Sequence, residues 1–140
     1  MAALLPNVKA QKDQFIPQHI ANLLWAMAKL VETGQERTPA LREAVAVLLP
    51  LVNAQKDQFN TQGITNLLWA MAKLVENGLE RTPVLGEAVT ALLLHVNAQK
   101  ANFKLQEISN LLWATAKLVE NGQERTPALR EAVALSLIHI

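Results

Sequence analysis

Cysteine is absent from this 140-residue chain, which excludes disulfides and thiolate metal sites and accords with a reducing compartment. An excess of either charge is missing as well. Thirteen basic against twelve acidic residues leave a formal +1, so no strong field marks the chain for nucleic acid or an anionic membrane, and any basic character is local. Uncharged apolar runs such as 44–52 fall short of the ~18 residues needed to span a bilayer. The opening Met1-Ala-Ala-Leu-Leu-Pro-Asn has neither the basic segment nor the apolar stretch of a secretory signal. The chain therefore reads as soluble and cytoplasmic, with export into a host cell as the alternative.

Catalytic constellations are lacking too. His19, His95 and His139 do not fall at metal-ligand spacing, and the only serines are Ser109 and Ser136. No phosphate-cradling glycine loop exists, and Asp13, Glu43 and Asp57 fall on expected exposed turns, where a perturbed pKa is not anticipated. No metal, cofactor, small-molecule substrate or enzymatic activity is expected.

What the chain does have is a repeat. Asn22-Leu-Leu-Trp-Ala recurs as Asn66-Leu-Leu-Trp-Ala and Asn110-Leu-Leu-Trp-Ala at a spacing of 44 residues, and Trp25, Trp69 and Trp113 are the only tryptophans. A fixed period of this size marks stacked repeats, in which no unit buries its apolar face alone. With 51% hydrophobic residues the chain is apolar enough to fold. The expected class is all-α: an α-solenoid of three helix-pair repeats and about six to seven helices, with units near 15–58, 59–102 and 103–140. Residues 1–14 read as the tail of a preceding unit, which suggests an excerpt from a longer array. No polar capping unit is visible, so the termini, with Leu137, Ile138 and Ile140 exposed, would favour end-to-end self-association.

Each unit opens on phenylalanine. Pro17 at the first helical position leaves Phe15 outside the helix and Ile20 at its fourth position, a hydrophobic staple that recurs as Phe59 with Ile64 and Phe103 with Ile108. Ile20, Leu23, Leu24, Met27, Leu30 and Val31 then form one apolar stripe, and Gly34, Gly78 and Gly122 supply left-handed stops. Thr38-Pro39, Thr82-Pro83 and Thr126-Pro127 each open a second helix with a capping hydroxyl and a helix-starting proline. Pro50 falls inside that helix, where a bend is expected.

Opposite the apolar stripe, Gln18, Asn22, Trp25 and Lys29 share a face, repeated as Gln62, Asn66, Trp69, Lys73 and as Gln106, Asn110, Trp113, Lys117. Stacking the units turns these into ladders of amide, indole and ammonium groups. The tryptophans are assigned mainly a structural role as wedges between units. Among the positions that differ between copies, His19 and Ala21 become Gly63 and Thr65, then Glu107 and Ser109. They are the candidate specificity residues, since a ligand read unit by unit needs variable readers beside invariant grips.

The run Phe15-Ile-Pro-Gln-His-Ile-Ala-Asn-Leu-Leu-Trp-Ala-Met-Ala-Lys-Leu resembles the core motif of the octotricopeptide repeats, helical-pair arrays of organellar RNA-binding proteins related to the FAST-kinase-like repeats. It is also similar to tryptophan repeats of intracellular bacteria and, more distantly, to the SKWP helical-repeat effectors of plant pathogens. The resemblance covers all three units. A longer period than the octotricopeptide pattern, and Thr-Pro in place of a proline-rich opening to the partner helix, bring the chain nearer the bacterial relatives. The resemblance implies single-stranded RNA as partner, with Lys29, Lys73 and Lys117 at phosphates, Gln18, Asn22, Gln62, Asn66, Gln106 and Asn110 as further grips, and the variable helix starts near bases. A protein-binding scaffold, such as a bacterial effector in a host cell, is the alternative that near-zero net charge favours.

Overall fold

The structure is a computed structural model that describes residues 14–33, 39–78, 82–99 and 102–120, together with Pro127 and Arg130. Among the described residues there are five α-helices and no strand: α1 (Pro17–Glu32), α2 (Pro39–Ala54), α3 (Thr61–Glu76), α4 (Pro83–Ala98) and α5 (Leu105–Glu120), with a short 3-10 turn at Lys56–Gln58 between α2 and α3. Each helix is 16 residues long. The segments expected before α1 and after Thr126, including Pro6 and the terminal aliphatics, lie outside the described residues apart from Pro127 and Arg130.

Local chemistry accounts for the helix limits. Pro17 begins α1 because its fixed φ suits the first turn and its missing N–H needs no partner there. Thr82 caps α4, its hydroxyl accepting from the Leu85 N–H at 3.2 Å, with Pro83 next. At the other end of α3 the Asn77 side chain donates to the Lys73 carbonyl at 2.8 Å, and Gly78 turns left-handed at φ 99° while its N–H reaches the Val75 carbonyl. Thr33 serves α1 in the same way through the carbonyls of Lys29 and Leu30. Gly34, Thr38, Gly122 and Thr126 lie outside the described residues. Pro50 sits exposed within α2, which runs on unbroken to Ala54.

Packing follows the apolar rows. α3 lies between α1 and α5, α2 packs beside α4, and α2 and α4 rest on α1 and α3 respectively. The core is aliphatic: Ile20, Leu24, Leu48, Ile64, Leu68 and Leu92 are fully buried. At fully buried aliphatic sites, truncation to alanine costs about 2–5 kcal/mol. Phe59 and Ile64 are both buried, and Phe15 packs against the same core as Ile20, as the staple requires.

A second clasp was not anticipated. The Gln55 amide, just past α2, donates to the Phe15 carbonyl at 2.9 Å, and Gln99, just past α4, repeats this with the Phe59 carbonyl at 3.3 Å. Each second helix thus ends by holding the entry to its own first helix. The Phe59 carbonyl oxygen also lies 3.2 Å from His95 Nε2, which in turn is 2.6 Å from the Gln99 amide nitrogen, so His95 and Gln99 close on the same carbonyl.

Candidate binding face

The face shared by α1, α3 and α5 is built from identical positions on three neighbouring helices. Trp25 and Trp69 have ring centroids 6.1 Å apart at an interplanar angle of 32°, and Trp69 and Trp113 repeat this at 6.4 Å and 33°. Offset, tilted indoles at this separation attract through their quadrupoles as well as through burial. Trp69 and Trp113 are half-buried against the core, while Trp25 remains 41% exposed.

Between successive indoles sits a lysine. Lys29 Nζ lies 5.4 Å from the Trp25 ring and 4.9 Å from Trp69, and Lys73 Nζ lies 5.7 Å from Trp69 and 4.8 Å from Trp113. Each such contact is worth ~0.5–1 kcal/mol at an exposed site. The lysines are also paired with carboxylates that the sequence reading passed over. Lys29 meets Glu32 at 3.8 Å, Glu32 meets Lys73 at 2.9 Å, Lys73 meets Glu76 at 3.9 Å, and Glu76 and Glu120 flank Lys117 at 3.7 Å each. The result is a zigzag of alternating charge across three helices. Lys73, hydrogen-bonded to Glu32, holds that carboxyl below its ordinary value of 4.5, against a smaller upward push from desolvation. A signal existed in the sequence: lysine and glutamate recur three residues apart in every copy, a spacing that pairs them on a helix.

The amide positions form the next stretch of the face. Gln18, Asn22, Gln62 and Gln106 are exposed, and Asn66 and Asn110 half-buried, with Gln106 donating to Asn110 at 3.4 Å. Between the N-terminal ends of α1 and α3 the surface opens into a groove of about 380 Å3 whose walls include Gln18, Asn22, Gln62 and Asn66 above Ala21 and Phe59. The remaining lining residues, Ile16, Pro17, Gln58, Asn60 and Gly63, are uncharged too. The volume falls within the ~300–1,000 Å3 of small-molecule pockets.

The same place between α3 and α5 is crossed by a hydrogen bond from the Thr61 hydroxyl to Glu107 Oε2 at 3.3 Å. At the first junction Pro17 stands where Thr61 does and Gly63 where Glu107 does, and neither side chain can hydrogen-bond. That pair of substitutions leaves the groove unbridged.

The positions singled out as specificity residues carry backbone duties. His19 Nδ1 accepts from the Ile16 N–H at 3.3 Å, and Glu107 Oε1 accepts from the Lys104 N–H at 2.8 Å. In the middle unit the corresponding residue is Gly63, and Asn60 takes over, its side chain accepting from the Gly63 N–H at 2.7 Å. Three different side chains thus satisfy the free N–H groups of three equivalent helix starts. Ala21 and Thr65 are buried, with the Thr65 hydroxyl donating to the Thr61 carbonyl at 2.8 Å, while Ser109 is exposed. Of the six, Ala21 and Gly63 line the groove.

No group of three or more metal-ligating side chains occurs among the described residues, and none of the described helices is long and apolar enough to cross a membrane. Comparison with models of known families, with curated proteins and with solved structures finds no match, so the role of this face rests on its own chemistry.

Proposed function

We propose that the chain is a non-catalytic α-solenoid of three 44-residue helix-pair repeats whose amide-lined face binds an extended polypeptide. The observation that carries the choice of partner is charge balance. Nucleic-acid affinity comes chiefly from lysines and arginines that neutralise phosphates and release counterions. Here Lys29, Lys73 and Lys117 alternate with Glu32, Glu76 and Glu120, so the ladder presents no net charge to a phosphate chain.

The groove beside it suits a peptide. Carboxamides both donate and accept, which matches the alternating N–H and C=O groups of an extended main chain. Gln18 and Asn22 of α1 and Gln62 and Asn66 of α3 stand at equivalent positions around the groove, so two units can hold one stretch of main chain. The uncharged groove would take an apolar or amide side chain.

The test is a paired selection at low salt: a display library of unstructured random peptides against a random single-stranded RNA pool. The expected result is enriched peptides with uncharged side chains, lost on Asn66→Ala, and no retained RNA. Retained RNA, with a salt slope that flattens when Lys29, Lys73 and Lys117 are changed to alanine, would overturn the polypeptide reading in favour of the RNA that the repeat resemblance implies.

A further inference from the structure

Each inner junction brings together two complementary rows. On α1 the row toward α3 includes Ala21, Leu24 and Ala28, all buried, and their counterparts on α3, Thr65, Leu68 and Ala72, are buried as well. On α5 the same row is uncovered: Ser109 and Ala116 are exposed and Leu112 is half-buried.

The opposite row shows the reverse. Leu67, Ala70 and Leu74 of α3 are fully buried, and Leu111, Ala114 and Leu118 of α5 are buried too. Their α1 counterparts Leu23, Ala26 and Leu30 are only half-buried. The outer flanks of α1 and α5 are thus the two halves of a contact that the molecule already makes twice. Leu105, at the start of α5, adds a further apolar side chain that is 68% exposed.

The polar edge is complementary in the same sense. Inside the molecule each glutamate reaches the lysine of the next helix, Glu32 to Lys73 and Glu76 to Lys117, and Lys29 and Lys73 each lie over the next indole. At the α5 end Glu120 is exposed, and at the α1 end Trp25 keeps an exposed face beside Lys29.

We propose that the outer flank of α5 docks on the outer flank of α1 in a second copy of this chain. Glu120 then pairs with Lys29 of that copy, and Lys117 comes to lie over its Trp25. The two surfaces differ, so the contact is head to tail and a pair of copies still has one free flank of each kind, which carries assembly past the dimer. The inference is independent of what the groove binds, since it uses the flanks of the stack.

Sedimentation analysis over a range of concentrations tests it. The chain should gain mass with concentration past the dimer. Ala116→Glu places a carboxylate where the counterparts Ala28 and Ala72 are fully buried, and should hold the protein monomeric with an unchanged thermal melt, because Ala116 itself is exposed. Ala26→Glu should block the other half. Mixed together, the two variants retain one intact flank each and should form a 1:1 dimer that grows no further. A chain that stays monomeric at every concentration, an Ala116→Glu variant that assembles like the parent, or a mixture that fails to pair would each overturn the proposal.

Discussion

The α1/α3 and α3/α5 junctions share one half of their chemistry and differ in the other. At the indole end they are near copies: ring separations of 6.1 and 6.4 Å, tilts of 32° and 33°, and lysine-to-ring distances of 4.9 and 4.8 Å. At the helix starts they part, the Thr61 hydroxyl bridging to Glu107 in one while Pro17 and Gly63 leave a groove in the other. The difference separates two tasks. Indole, ammonium and carboxylate set the register of the stack, while the first turn of each helix can open or close the surface without disturbing it.

The strongest way to break the likeness is at the ring the junctions share. Trp69→Ala removes both stacks and should cost about 3 kcal/mol in urea unfolding, since the indole is half-buried and touched on both sides. Trp25→Ala, with one ring neighbour and 41% exposure, should cost distinctly less. Equal losses would show that the stack is not shared between the two junctions.

Next come the helix starts. Asn60→Ala deletes the cap on Gly63 and should cost about 1 kcal/mol by the same measurement. Thr61→Val removes the bridge to Glu107 and should cost about 0.5–1 kcal/mol. The converse change, Pro17→Thr with Gly63→Glu, copies the bridge into the first junction. A Cβ at Gly63 would come 3.2 Å from Asn60 Oδ1, so the cap must shift slightly, and the introduced carboxylate can then take over the capping as Glu107 does in α5. Peptides enriched on the parent chain should no longer bind this variant, and undiminished binding would place their site elsewhere.

The smallest effect is on pH. Glu32 has its folded-state pKa lowered, chiefly by the hydrogen bond from Lys73, so it stabilises the fold above its unfolded value, and that contribution is lost as pH falls through the lower folded value. Stability should therefore decline on acidification through and below the ordinary 4.5, and Glu32→Gln should flatten part of that decline. An NMR titration midpoint for the Glu32 carboxyl at or above 4.5 would contradict the pairing with Lys73.

What could be read from sequence was what local rules determine. The start of α1 at Pro17, the staple of Phe59 with Ile64, the Thr82 cap and the Gly78 stop all follow from a few adjacent residues, and the structure places them so. Register across helices was less legible. Lysine and glutamate at a three-residue spacing suggest a pair within one helix, but the 2.9 Å contact of Glu32 with Lys73 depends on how far α3 is displaced from α1, which a repeat length does not state. The variable positions carry a second meaning that the sequence did not show. His19 and Glu107, and Asn60 in the unit that has Gly63, satisfy N–H groups at the helix starts. Sequence variation can mean several solutions to one backbone requirement.

Circular dichroism in the indole absorption bands tests the register most directly, because neighbouring tilted indoles couple their transitions and a lone indole does not. The parent chain should show an exciton couplet, Trp25→Ala should keep the part arising from Trp69 and Trp113, and Trp69→Ala should abolish it while the backbone signal stays helical. A folded parent with no couplet, or a couplet that survives Trp69→Ala, would contradict the shared indole ladder.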